Sequence, residues 1–123
     1  MLKTSSNIGN FANFSINGNI IVSSTPPTIG SGFGAGPTIL ANNTAAFKIT
    51  VGTGGAANGV INFPAAPNGW IVYAQDVTAG TTLFLQQTAS SSTSATVTSF
   101  NITTGLAGNM AAGDTILCVA MPY

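Results

Sequence analysis

The stretch AAFKITVGTGGAANGVINF (45–63) decides the fold class. Its first seven residues alternate, with Ala45, Phe47, Ile49 and Val51 on one side and Ala46, Lys48 and Thr50 on the other. Two is the side-chain period of a β-strand, so a strand is predicted over 45–51, with Lys48 on the solvent face where a charge costs little. The glycine-rich run that follows turns the chain into a second predicted strand over 60–63.

Working outward, the same logic predicts strands over 19–24, 70–78, 81–89, 95–101 and 115–121. Turn formers separate them: Pro26-Pro27, the segment PAAPNG (64–69), Ala79-Gly80, the serine run 90–94 and Gly113-Asp114. No window has the period of a long helix, and no internal repeat of fixed length appears. About eight short strands spaced roughly ten residues apart point to an all-β chain, an antiparallel β-sandwich or jelly-roll-like single domain. Composition shifts once, over 25–37, where prolines and a glycine-rich loop intervene. Residues 1–30 are therefore expected to be an extended N-terminal arm or edge region, and 31–123 the sandwich body. Phe11, Phe14 and Ile16 lie in an Asn- and Ser-rich stretch with no local core to fill. Docking on another subunit and filling the body's own core both fit them. Together with Phe33 they are the candidate partner-interface residues.

Charge excludes whole classes of function. Of 123 residues, 45% are apolar and 3% charged, against the quarter usual in globular chains. That combination is the reverse of disorder. The charges are Lys3, Lys48, Asp76 and Asp114, and they cancel. Two lysines far apart in sequence build no phosphate-binding stripe and no attraction to anionic lipid, so neither nucleic acid nor a membrane surface is expected as partner. Leu117, Val119, Met121 and Tyr123 do carry the alternate apolar spacing of a final outer-membrane strand. Pro122 within it, an N-terminus without an apolar export signal and too few ten-residue alternating segments weigh against a barrel.

Catalytic chemistry lacks its parts. Without His, neither Cys118 nor any hydroxyl has the usual base to activate it. Asp76 and Asp114 each suit a structural position, one near a strand end and one in a Gly-Asp turn, and two carboxylates are too few to argue a catalytic pair. Zinc and calcium sites lack ligands. Gly30, Gly32 and Ala35 formally match a dinucleotide fingerprint, but Pro37 and a β-rich segment follow where a helix is required. The expectation is a non-enzyme with no cofactor and no metal. Trp70 and Tyr73 have the aromatic faces of a sugar platform, yet in one strand they project to opposite sides, which favours Trp70 as core. A lone cysteine makes no internal disulfide.

From Gly32 onward, GFGAGPTILANN (32–43), AFKITVGTGGAANGVINFP (46–64), NGWIVYAQDVT (68–78) and AAGDTILCVA (111–120) resemble small virion structural proteins of tailed bacteriophages. That resemblance implies a place in the virion, either as a capsid decoration (cement) protein or as a tail-fibre or tail-tip component, with or without receptor binding. The absence of a long repetitive shaft favours decoration. The implied partners are the major capsid protein and further copies of the chain, as a homotrimer. It brings no catalytic residues with it.

Overall fold

Eight strands form where apolar and polar residues alternate: β1 (Thr28–Ser31), β2 (Thr38–Ala41), β3 (Ala46–Thr50), β4 (Asn58–Asn62), β5 (Trp70–Asp76), β6 (Leu83–Ser90), β7 (Ser94–Asn101) and β8 (Thr115–Pro122). They are seen in a computed structural model that describes residues 23–41 and 45–123, none of them helical. Every pairing is antiparallel, and two four-stranded sheets result, in the orders β1-β4-β7-β6 and β2-β3-β8-β5. The sheets pack face to face as a β-sandwich, as the alternation predicts.

The predicted strand over 45–51 appears as β3 with the expected sides: Phe47 and Ile49 are buried, Lys48 only partly. β5 alternates along its whole length, burying Trp70, Val72, Ala74 and Asp76. β8 does the same with Ile116, Cys118 and Ala120. From the opposite sheet Ile61, Ala95 and Val97 close the core, and Val51, Phe63 and Met110 plug it from the connections.

Two strands were not foreseen. β1 and β2 are four-residue segments in the Pro/Gly-punctuated region, too short to show a period, and they form because β4 and β3 offer them free edges. Residues 28–30 of the stretch expected as arm or edge are thus part of an edge strand. Of the strand expected over 19–24, Ser23 and Ser24 are not in a strand, and the rest lies outside the described residues.

The outer edge of β5 is closed by a side chain from the other sheet. Gln87 Oε1 accepts from the Val72 amide at 2.7 Å, and its Nε2 donates to the Trp70 carbonyl at 2.7 Å. One glutamine therefore replaces two ladder bonds that an edge strand leaves open.

Candidate docking face

The two outer faces of the sandwich differ in kind. On the β1-β4-β7-β6 sheet, polar side chains bond across strands: Thr98 Oγ1 donates to Asn58 Oδ1 at 2.8 Å and shares a 2.7 Å bond with Thr88 Oγ1. A stacked Phe84–Phe100 pair stands at one end. Those three polar side chains are partnered within the chain.

The outside of the β2-β3-β8-β5 sheet is apolar. Strand register sets its rungs: Thr38, Thr50 and Thr115 form one, Leu40, Lys48, Leu117 and Gln75 the next, then Ala46, Val119 and Tyr73, then Met121 and Ile71. The large apolar members range from 45% exposed at Leu117 to 68% at Leu40 and Tyr73. Leu40, Ile71, Tyr73, Leu117, Val119 and Met121 together expose on the order of 600 Å², at the upper end of the largest patch a typical monomer shows, and such patches mark interaction sites. A shallow groove runs among Leu40, Lys48, Tyr73, Leu117 and Val119.

β8 is the reason. It is apolar on both sides, so when Ile116, Cys118 and Ala120 enter the core, Leu117, Val119 and Met121 must face out. The spacing noted at Leu117, Val119, Met121 and Tyr123 is the sequence signal for this face. Lys48 is the one described cation, and it makes no ion pair among the described residues.

The other singled-out residues are placed as follows. Phe33 corrects the expectation of an interface residue: it is 0% exposed and seated in the core against Gly59, where a Cβ would run into its ring. Phe11, Phe14 and Ile16 lie outside the described residues. Trp70 is core and Tyr73 exposed on the opposite side of β5; the Trp70 ring stacks on Phe63 at 4.5 Å, and its Nε1 donates to the Pro64 carbonyl at 3.0 Å. Gly30, Gly32 and Ala35 belong to β1 and the loop joining it to β2, with Gly32 at φ +83 pressed against the Asn58 carbonyl. Strand β2 follows them where the fingerprint requires a helix.

Asp76 and Asp114, too few to pair by sequence, do meet. Both are buried, Asp76 at the end of β5 and Asp114 just before β8. Asp76 Oδ1 accepts from the Thr78 and Ala79 amides at 2.9 and 2.8 Å, and Asp114 Oδ2 from the Ala111 amide at 2.7 Å. Asp76 Oδ2 has no hydrogen-bond partner. Burial, opposed by the Ala111 amide and reinforced by the neighbouring Asp76 carboxyl, pushes the Asp114 carboxyl above its ordinary value. These bonds brace turns. Among the described residues no three His, Cys, Asp or Glu side chains cluster as metal ligands.

Cys118 points into the core, and burial pushes its thiol up to about 12. A buried thiol that stays protonated is a poor nucleophile. Iodoacetamide is therefore expected to leave Cys118 unmodified in the folded protein and to label it fully in denaturant. Mass spectrometry showing rapid labelling of the native chain contradicts this placement.

No known protein-family model matches the chain, and neither a curated protein nor a solved structure does so.

Proposed function

We propose that this is a phage virion structural protein, a capsid decoration protein that seats the outer face of its β2-β3-β8-β5 sheet on the outside of the shell and bridges capsomer junctions. The observation that carries the reading is that face: six large exposed apolar side chains on adjoining rungs, against an opposite outer face where Thr88, Thr98 and Asn58 bond across strands and Phe84 is the large exposed apolar residue. Attachment of this kind needs no chemistry. Burying apolar area against the shell adds stability at each junction, and the resemblance of the sequence to phage structural proteins supplies the class of partner. A homotrimer and a location in the virion belong to the same reading.

The test is uptake of the protein by phage shells stripped of it. Leu117→Ser, in the centre of the face, is expected to weaken uptake at least tenfold, about 1.4 kcal/mol, while leaving the fold intact. Because apolar burial is screened little by salt, raising sodium chloride should change wild-type affinity by less than about tenfold. Copy number on a stained gel of whole particles should be in the hundreds. A few copies to a few dozen would place the protein in the tail, and full uptake of Leu117→Ser would remove this face as the attachment surface.

A further inference from the structure

Resting on that reading of the face, we infer that its occupant is a different protein presenting a carboxylate opposite Lys48, and not a second copy of this chain. Lys48 stands in mid-strand with Leu40 as its β2 neighbour and Leu117 as its β8 neighbour, already half-buried before anything docks. Covering the face strips water from the ammonium group. An ammonium buried without an anion is costly, and one buried against a carboxylate recovers much of that cost.

A second copy has no side-chain carboxylate to supply. The chain holds two acidic residues, and both are buried, 1% exposed at Asp76 and 4% at Asp114, each with one oxygen bonded to turn amides and neither reaching this face. A two-fold pairing of this face would also bring two lysines onto one apolar surface, a like-charge contact that self-association must overcome. The complementary surface is therefore flat, apolar and marked by one acidic group. A homotrimer has to form through other surfaces.

The sign of one substitution separates the possibilities. Lys48→Met keeps an unbranched side chain, one atom shorter, and removes the charge. Against a carboxylate it strands the partner's anion, so affinity for stripped shells should fall at least tenfold, with Lys48→Arg retaining most of the binding. Against a purely apolar surface it removes a desolvation cost, and affinity should rise, which overturns the inference. Sedimentation velocity of wild type, Lys48→Met and Leu117→Ser judges the second copy without using shells. The oligomeric state of the wild type is expected to be unchanged by Leu117→Ser. Dissociation of a wild-type assembly by Leu117→Ser, or its strengthening by Lys48→Met alone, means a second copy covers the face. Should wild type fail to bind shells, the decoration reading falls, and this series still decides between a face closed on itself and one left open for another protein. If Leu117→Ser abolishes shell binding and Lys48→Met does not weaken it, the face stands and only the carboxylate is wrong.

Discussion

Phe33→Ala is expected to destabilise the protein by about 3–5 kcal/mol, the range for emptying a buried aromatic site. Phe33 lies in the β1–β2 connection, where an aromatic residue ordinarily has a choice between surface and core. Here the choice is closed by backbone. The Phe33 carbonyl accepts from the Gly52 amide at 2.8 Å, and the Gly32 carbonyl just before it accepts from the Ala56 amide at 2.8 Å. Those bonds hold the loop over the end of the sandwich, and the bare Cα of Gly59 leaves the space that the ring fills. Around the vacated site stand backbone-bonded elements that cannot easily collapse inward, so most of the cavity should persist. Urea denaturation followed by the fluorescence of Trp70, the only tryptophan, reads the loss. A change below about 1 kcal/mol, well under the range for aromatic truncation, would show that the ring is not core. Shell binding of whatever fraction stays folded should be unaffected, since the ring reaches no surface.

The second large effect depends on pH. The folded chain holds the Asp114 carboxyl above its ordinary value of 3.8, chiefly by burial, with the Ala111 amide pulling the other way and Asp76 adding repulsion. Between that ordinary value and the raised one, the folded state keeps a proton that the unfolded state has released. Stability therefore falls as pH rises through this window, is fully present below it, and stays at its reduced level above it. A proton on Asp114 has a natural destination in the Asp76 carboxyl, whose Oδ2 otherwise lacks a donor.

Asp114→Asn reproduces that arrangement without a titration. Its amide oxygen still accepts from Ala111, and its amide nitrogen donates toward Asp76. The variant should lose the pH slope and gain on the order of 1–3 kcal/mol at neutral pH, the cost of a buried acceptor left unpaired. Urea curves for both proteins between about pH 3 and about pH 8 test it. A wild-type stability that climbs through the acid range, or an Asp114→Asn variant weaker than wild type at neutral pH, contradicts the account.

How much of this was legible beforehand follows from what periodicity can and cannot carry. Alternation of Phe47, Lys48, Ile49 and Thr50 was enough to predict β3, its buried side and the all-β class, because a strand with one apolar side has only one way to bury it. Opposite projection of Trp70 and Tyr73 came from the same period. β1 and β2 escaped because four residues between glycines and prolines carry no period, and the edge of a neighbouring strand makes them strands. From sequence Phe33 reads as a partner contact, because a glycine-rich loop conceals whether it folds over a core or stands in water. Asp76 and Asp114 are 38 positions apart in sequence, and only the β5–β8 pairing at Asp76↔Ile116 brings them together.

The docking face divides in the same way. That Leu117, Val119 and Met121 share a side was readable from the chain. Which side of β8 turns inward was not, because Ile116, Cys118 and Ala120 are apolar too. Pairing settled it: Lys48 lies opposite Leu117 and Gln75 opposite Leu117 on the other flank, and a lysine and an amide without turn amides to bond, unlike Asp76, cost more inside than Phe47, Ile49, Val72 and Ala74 on the same strands. Alternation along the chain therefore placed β3 to β8 and paired their sides, while β1 and β2 came from their neighbours' edges. Which of two apolar stripes on β8 remained outside was settled by packing, because that choice depends on the side chains of the neighbouring strands.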